Sequence, residues 1–289
     1  MVPIQSGCLG NCAFCIEPIA RGKLHSYPPD LIVEKIAEAV GKGAKEIYLT
    51  GQDVICYGLD MGVTLPELID KILRKVEGEY LIRIGMLEPS LTARFIDELL
   101  ELMKDERVYK YLHLPLQSGS NKVLKLMNRK YSVEEYLDIA GKARRAMPDI
   151  NITTDIIVGF PGESEEDFEE TVEALKSIRP DKTHIARYTI RPFTVAATMK
   201  QVPEPVKKKR SKILSEIAAK IAHERNLRHV GRLEKVLINS LGRDSCFLGR
   251  TLNYKPVLVS RGEKIEIGVI RTFRIESATP IYLRAAFKP

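Results

Sequence analysis

Residues 8–15 read CLGNCAFC, with three residues between Cys8 and Cys12 and two between Cys12 and Cys15. Three thiolates this close in sequence can ligate one metal centre, and Gly10 lets the short loop wrap around it. A structural zinc site needs a fourth cysteine or histidine with its own local spacing, and none follows in this loop. The spacing therefore predicts a metal centre with three protein ligands and one open position.

The cysteine loop follows the first of six β-rich runs that alternate with helical patterns. We predict strands at residues 2–6, 46–53, 80–87, 111–118, 151–160 and 182–190 and helices at 30–40, 65–76, 93–103, 133–147 and 165–178. Ser164 is the predicted N-cap of the last of these helices, because three acidic residues follow it. This rhythm predicts an α/β fold with a parallel sheet. Six units in one direction favour a partial barrel, although a doubly wound sheet fits the periodicity nearly as well.

The pattern changes after Thr194, where Pro203 and Pro205 punctuate a linker and a basic run covers 207–210. A helix is expected from there to about Asn226, followed by β-rich runs at 234–240, 245–251, 255–260 and 264–279. Short strands separated by glycine and charged turns are typical of a small all-β barrel. The predicted organisation is a core at 1–200, a connector helix at 201–225 and a small barrel at 226–289.

Charge is concentrated in the last segment. The chain has a formal net charge of +7, and residues 226–289 hold 12 basic and 5 acidic residues, so this segment carries the whole excess. Such asymmetry favours a nucleic-acid partner, although a basic surface without a partner fits the charge equally well. No apolar run approaches the ~18 residues of a membrane span, and the first residues lack a signal-peptide pattern. Five cysteines, an odd number, argue against a disulfide framework. We therefore expect a cytoplasmic protein with no membrane partner.

The CxxxCxxC motif after a first barrel strand resembles the radical S-adenosylmethionine (SAM) superfamily. In that family three cysteines, here Cys8, Cys12 and Cys15, hold a [4Fe–4S] cluster, and the amino and carboxylate groups of S-adenosylmethionine bind its fourth iron. An electron from the cluster cleaves the sulfonium to a 5′-deoxyadenosyl radical. The resemblance implies both of these cofactors.

Four further stretches narrow the resemblance: TGQD at 50–53, HLPLQSGS at 113–120, LMNRKYS at 126–132 and TDIIVGFPGES at 154–164. Together they resemble the methylthiotransferases, most closely the archaeal and eukaryotic branch that converts N6-threonylcarbamoyladenosine beside the tRNA anticodon into its 2-methylthio derivative. This implies a partial (β/α)6 radical SAM barrel followed by a TRAM barrel, a small RNA-binding module. The implied partners are tRNA and an electron donor, either a chemical reductant or a flavodoxin- or ferredoxin-like protein. A monomer is the simplest expectation.

Within this resemblance, the strand ends supply the expected cofactor contacts. Polar groups at the ends of the second and fourth strands and one arginine face the ammonium and carboxylate of the cofactor, an aspartate accepts from the ribose, and an apolar residue and a glycine meet the adenine. These residues are Thr50, Gly51, Gln52, Gln117, Ser118, Arg129, Asp155, Ile157 and Gly159.

Other candidate residues are expected to be structural. Cys56 and Cys246 are read as buried small side chains, and His113 and His184 as interior histidines rather than ligands. The basic run at 207–210 is expected to be a solvated face or an RNA contact.

Methylthiotransferases of this kind normally begin with a further domain, whose three cysteines hold a second [4Fe–4S] cluster. The sequence shows no such domain before the first strand, so the isolated chain is expected to cleave S-adenosylmethionine and bind RNA without its own sulfur source. Two alternatives stay open at this point. One is the same chemistry on isopentenyladenosine in tRNA or on a ribosomal-protein aspartate. The other is a non-catalytic RNA-binding scaffold stapled by metal.

Overall fold

Parallel strands joined by helices build the first two thirds of the chain in the computed structural model, which describes residues 1–242, 246–260 and 265–286. The strands are β1 Val2–Pro3, β2 Gln5–Ser6, β3 His25–Ser26, β4 Glu46–Thr50, β5 Leu81–Ile84, β6 Tyr111–His113, β7 Asn151–Val158 and β8 Lys182–Arg187. The helices are α1 Glu17–Arg21, α2 Pro29–Gly41, α3 Leu65–Lys75, α4 Pro89–Leu102, α5 Asn121–Leu126, α6 Val133–Ala146, α7 Glu165–Ile178 and α8 Glu204–Leu227, with 3-10 turns at Val54–Cys56 and Val195–Thr198.

The parallel strands follow one another in chain order. One sheet has the order β1-β4-β5, the other has the order β6-β7-β8, and parallel bridges from Ile82 to Val108 and from Met86 to His113 join the two. This order contains no reversal, whereas a doubly wound sheet reverses at its switch point. The predicted strand at 2–6 is split: Val2–Pro3 pairs with β4, and Gln5–Ser6 pairs antiparallel with β3.

Alternation along the strands separates two faces. Ile47, Leu49, Ile82, Ile84 and Ile152 are buried in the largest apolar cluster, which the surrounding helices complete. Arg83, His113 and Asp155 occupy the alternate positions of β5, β6 and β7 and point to the opposite, inner face, because side chains alternate along a strand. The helices bury the outer face, and the inner face is left for polar side chains.

A second, smaller barrel follows α8. Its strands are β9 Leu233–Leu241, β10 Phe247–Thr251, β11 Pro256–Val259, β12 Ile270–Ala278 and β13 Leu283–Ala286, closed in the order β10-β11-β13-β12-β9. Val236, Phe273 and Leu283 are among its fully buried side chains. The predicted runs at 245–251 and 264–279 begin at Ser245 and Lys264, which lie outside the described residues, and the sequence analysis missed β13.

The small barrel contacts the core at the amino ends of the core strands. Tyr254 packs against Tyr109 and Tyr111 with ring centroids 4.9 and 4.7 Å apart, and Lys110 N donates to Leu252 O. The cysteine loop lies beyond the opposite, carboxyl ends of these strands. The two ends of the core therefore serve different contacts.

No helix in the described part of the chain has the length and apolar character of a membrane crossing.

Candidate metal and cofactor site

In CLGNCAFC the thiols of Cys8 and Cys12 lie close to Gly10, and Cys15 is near enough to raise the pKa of both. A Cβ at Gly10 would lie 3.3 Å from Cys8 Sγ and 3.7 Å from Cys12 Sγ, so a side chain there would intrude between the two sulfurs. Gly10 N also donates to Cys8 Sγ (3.1 Å), and Cys15 N donates to Cys12 O (3.1 Å). The three thiols are half-buried and form no disulfide. The loop therefore brings two sulfur atoms next to Gly10 with the third nearby, which suits a metal site with thiolate ligands.

Two other loops hold this segment in place. Ala13 N donates to Met127 O (2.9 Å), and Ala196 N donates to Ala13 O (2.8 Å). Phe14 meets Phe160 edge to face with ring centroids 6.3 Å apart, and Ile157 packs against the same apolar cluster. The end of β7 thereby lies beside the cysteine loop, and this is where the sequence places a hydrophobic cofactor contact.

Burial makes the thiols poor anions in the protein alone. It raises the pKa of Cys8 and Cys12, and neighbouring acidic groups raise both further, whereas Arg129 lowers the pKa of Cys12. A metal cation bound to such thiols favours the thiolate form and releases protons. The chemistry of this donor set therefore fits a cationic metal cluster.

A buried charge group adjoins the thiols. Burial raises the pKa of Asp53 to about 7, and nearby Glu88 adds to the effect, whereas the Glu88 N–H that donates to Asp53 Oδ1 (3.0 Å) opposes it. Arg129 Nη1 lies 3.8 Å from Glu88 Oε1, and its guanidinium stacks over Phe14 at 5.6 Å. Asp53 is part of the TGQD stretch but had no predicted role, and Glu88 was not predicted as a site residue. The sequence feature that could have indicated Glu88 is its position directly before Pro89, the first residue of α4.

Three predicted cofactor residues carry buried polar atoms without a hydrogen-bond partner: Gln52 Oε1, Gln117 Oε1 and Arg129 Nε. Two acceptors and one donor are complementary to an ammonium and a carboxylate. Gln117 also has a left-handed backbone (φ 68°) and is fixed by two hydrogen bonds to β7, at Asp155 O and Ile157 N. Unpaired buried polar atoms are uncommon in native proteins, so this set fits an amino-acid-like ligand.

Asp155 is engaged by a histidine that the sequence analysis treated as interior. Both carboxylate oxygens of Asp155 lie within 3.0 Å of His113 Nε2, and the His184 ring lies 5.8 Å from the His113 ring. The ligand atoms of the three residues lie within 4.8 Å of one another, close enough to meet on one cation. The sequence did not reveal that His113 is the partner of Asp155, because the two residues are 42 positions apart.

The other predicted cofactor residues differ in their surroundings. Thr50 ends β4, and a Cβ at Gly51 would come within 2.8 Å of the Gln5 side chain. Ser118 is fully buried, and its hydroxyl lies 3.3 Å from the Thr171 hydroxyl of α7.

Gly159 lies against α8. A Cβ there would lie 2.3 Å from Lys207 Cγ, so this glycine permits the close approach of the α8 lysine. Lys207 itself is buried and donates to Tyr188 O (3.0 Å).

The basic run at 207–210 is neither wholly solvated nor free for RNA. Besides Lys207, Arg210 is buried and pairs with Glu163 and Glu165. Cys56 is buried as predicted, and its thiol donates to Asp53 O (2.9 Å). Cys246 is only half-buried and precedes β10 by one residue, which corrects the expectation of a core strand residue.

Comparison with known proteins agrees with this site. Residues 2–175 match the family model of the radical SAM superfamily. The chain belongs to the radical SAM superfamily. Membership implies a [4Fe–4S] cluster and S-adenosylmethionine as cofactors of the fold. It disfavours the alternative hypothesis of a non-catalytic RNA-binding scaffold held together by metal.

A relative in Pyrococcus horikoshii, named "Probable threonylcarbamoyladenosine tRNA methylthiotransferase", is 46% identical over 98% of this chain and 66% of its own length. A tRNA-2-methylthio-N(6)-dimethylallyladenosine synthase of Acetivibrio thermocellus is 39% identical over 96% of this chain and 60% of its own. The chain thus spans about two thirds of the length of such relatives.

Among solved structures, the radical S-adenosylmethionine methyltransferase TsrM of Kitasatospora setae, with cobalamin and a [4Fe–4S] cluster bound, aligns with a TM-score of 0.56 at 16% identity, over 68% of this chain and 35% of its own. At that identity the likeness speaks for the fold of the core.

Proposed function

We propose that this chain carries the radical SAM part and an RNA-binding barrel of a tRNA methylthiotransferase that acts on N6-threonylcarbamoyladenosine. The observation that carries the proposal is the loop with three thiols, two of them next to Gly10, beside buried polar atoms that lack partners. Five relatives at 41–46% identity over 93–99% of this chain carry the threonylcarbamoyladenosine name, and two dimethylallyladenosine synthases are 39% and 41% identical over 96% and 89% of it. The two highest of these identities, 46% and 44%, belong to relatives with the threonylcarbamoyladenosine name, which favours the threonylcarbamoyl substrate over the isopentenyl one.

In this proposal Cys8, Cys12 and Cys15 hold the [4Fe–4S] cluster. When bound, the cluster supplies the electron that cleaves S-adenosylmethionine reductively. The cofactor's polar groups face the residues whose buried atoms lack partners and the ends of β4, β6 and β7. These proposed contacts are Thr50, Gly51, Gln52, Gln117, Ser118, Arg129, Asp155, Ile157 and Gly159.

The residues of the chain have separable tasks. Arg129 offers a guanidinium to a carboxylate, and its stacking on Phe14 fixes its plane. His113 fixes the Asp155 carboxylate on the inner face of the strands. Asp53, with a pKa near 7, can hold its proton or give it up beside an ammonium group.

We also propose the domain limits 1–200, 201–225 and 226–289, with a partial (β/α)6 barrel first and a TRAM-like barrel last. The strand order without reversal and the closed five-stranded barrel support these assignments. The proposed partners are tRNA, held in part by the basic last segment, and an electron donor of the flavodoxin or ferredoxin kind, with a cytoplasmic monomer as the acting form. The resemblance places the second cluster on a segment outside these 289 residues.

The test is anaerobic reconstitution with iron and sulfide, followed by dithionite and S-adenosylmethionine and an assay for 5′-deoxyadenosine. We expect four irons per chain and product formation, and we expect Cys12→Ala to abolish both. Cys56→Ala is the matched control, because its buried thiol bonds to Asp53 O and should leave the cluster intact. Zinc without iron or sulfide would return the chain to a metal-stapled scaffold.

A further inference from the structure

A cavity of about 650 Å³ lies where the small barrel meets the inner face of β5–β8. Its walls come from the core strands, from α8 and from the segment between β10 and β11. Five of the side chains that line it are polar, charged or aromatic groups that can bind a ligand: Arg83, Asn151, Lys182, Arg250 and Tyr254. The cavity is thus enclosed jointly by the core and the small barrel, at the end of the strands away from the cysteine loop.

Three cations line this cavity without acidic partners. Among the described residues, no carboxylate oxygen lies within 4.0 Å of a side-chain nitrogen of Arg83, Lys182 or Arg250, whereas Lys255 on the same wall is neutralised by Asp181 at 2.7 Å. Partial burial lowers the pKa of Lys182, and the charges of Arg250 and Arg83 lower it further. Mutual repulsion of this kind is relieved when an anion binds among the cations.

The cations are held in fixed positions. The Arg83 guanidinium lies 5.0 Å from the ring centre of Tyr111 and 5.1 Å from that of Tyr254, and its Nε is buried without a hydrogen-bond partner. Arg250 stacks on Tyr254 at 4.7 Å. Arg83 Nη2 also donates to the Tyr111 hydroxyl (3.3 Å). Aromatic stacking orients a guanidinium, and the N–H groups that are not used in this way can bind a planar anion such as a carboxylate.

The cavity also offers a buried acceptor. Asn151 is 5% exposed, and its Oδ1 lacks a partner. A ligand that satisfies the whole wall therefore combines an anionic group with an N–H or O–H donor.

The cavity leads toward the candidate cofactor site. Lys182 is paired with Thr153, and two residues further along the same strands His184 is paired with Asp155. At ~3.3 Å per residue the two pairs are roughly 7 Å apart. An amino-acid substituent on a base held beside Asp155 can span that distance.

Resting on the function proposed above, we propose that this cavity binds the threonyl carboxylate of the substrate base, with Lys182, Arg250 and Arg83 as its cationic partners and Asn151 as acceptor for its N–H or O–H. A base that reacts must leave the stack and enter the protein, so its substituents reach deepest, whereas backbone phosphates stay at the rim. A site built for a charged group strongly rejects an isopentenyl analogue, which leaves the cations unpaired.

The experiment measures the affinity of the whole chain for three anticodon stem-loop RNAs by fluorescence anisotropy. They differ at one position only: N6-threonylcarbamoyladenosine, its neutral threoninamide analogue, or adenosine. We expect the carboxylate RNA to bind about tenfold more tightly than the amide RNA, as a charge-assisted contact implies. Lys182→Gln and Arg250→Gln should each reduce this preference to within about twofold, and Lys182→Arg should keep it. Lys42→Gln, on the exposed face of α2, is the matched control and should change nothing.

Three outcomes overturn the inference: equal affinity of the wild type for the carboxylate and amide RNAs, a preference that survives both glutamine variants, or no measurable binding of any RNA. If the glutamine variants lose affinity by the same factor for all three RNAs, the inference is also overturned, and the cations are assigned to contacts with RNA phosphates. The assay for 5′-deoxyadenosine separates the two proposals. A reconstituted wild type that forms the product but shows no preference refutes only the cavity assignment, and one that prefers the carboxylate RNA but forms no product refutes only the radical chemistry.

Discussion

Asp53 is a buried acid whose surroundings favour its neutral form. Its pKa in the folded protein, about 7, lies above its ordinary value of 3.8, so the folded state binds the proton more tightly than the unfolded chain does. The free energy of unfolding of the metal-free chain therefore falls as pH rises from ~4 to ~7, and the full cost is present above that. Asp53→Asn removes this cost. We expect the variant to gain about 1–2 kcal/mol relative to the wild type between pH ~5.5 and ~8.5, measured by denaturant titration at both values.

The control for this prediction is Asp97→Asn, an exposed aspartate on α4. It should differ from the wild type by the same small amount at both pH values. An Asp53→Asn variant with that same flat behaviour would mean that Asp53 is ionised in the folded protein at low pH.

Single residues show where sequence reasoning stops. The spacing of Cys8, Cys12 and Cys15 is local, so the sequence displays it directly. The surroundings of Ser118 and Gly159 are set by Thr171 and Lys207, which lie 53 and 48 positions away, and no local pattern announces such contacts. The half-buried His113–Asp155 pair was missed for the same reason.

Helix α7 begins with a capping box at Ser164, which the sequence predicted as the N-cap. The Ser164 side chain accepts from Asp167 N (3.2 Å), and the Asp167 carboxylate accepts from Ser164 N (2.8 Å). Ser164→Ala should lower the free energy of unfolding by about 1 kcal/mol, because a buried helix start loses one partner for its free N–H groups. Thermal and urea unfolding measure the change. Ser177→Ala, exposed within the same helix, should be neutral or slightly stabilising, and equal losses in the two variants would refute a capping role.

Helix α8 is fixed to the core by a buried ion pair. Its arginine belongs to the run of basic residues at 207–210, which in the sequence alone suggests an exposed basic surface. Arg210 pairs with Glu163, and both side chains are at most 5% exposed. Arg210→Met should cost about 3–5 kcal/mol, because Glu163 is left buried without its partner. Lys209→Met, whose side chain is 70% exposed, should change the stability by about 0.5 kcal/mol or less. If Glu163→Gln fails to recover part of the loss in the Arg210→Met background, the cost has another source.

Elements were more predictable than their limits. The helix predicted at 165–178 matches α7, because the capping signal and the apolar spacing agree. Predicted strands such as 46–53 and 111–118 are too long, since β4 and β6 end at Thr50 and His113. The residues beyond those ends turn into the loops that form the site. The β-rich sequence pattern continues beyond those ends, but the hydrogen-bonded pairing with a neighbouring strand does not.

At the scale of the whole molecule, the core, α8 and the small barrel meet at one buried carboxylate. Asp181 accepts from Arg225 Nε of α8 (3.0 Å) and from Lys255 Nζ before β11 (2.7 Å), and these three side chains are at most 8% exposed. Neither the charge count of residues 226–289 nor their strand pattern predicted this junction, because the count treats Lys255 as a surface charge and Arg225 lies just before that segment. The small barrel is held by a buried charge network as well as by the tyrosines around Tyr254.

Asp181→Asn should therefore loosen the small barrel from the core. Burial opposes ionisation of Asp181, but Lys255 and Arg225 outweigh it and lower its pKa, so its contribution is present above its ordinary range and lost as pH falls through the lowered value. The variant leaves two buried cations unpaired, and we expect a loss of about 3–5 kcal/mol with earlier proteolytic cleavage near α8. The matched control is Asp149→Asn, which also links the core to Arg228 and Arg232 but is 45% exposed, and which should cost at most about 1 kcal/mol. Equal losses in the two variants would show that burial of the Asp181 network contributes nothing to docking of the barrel.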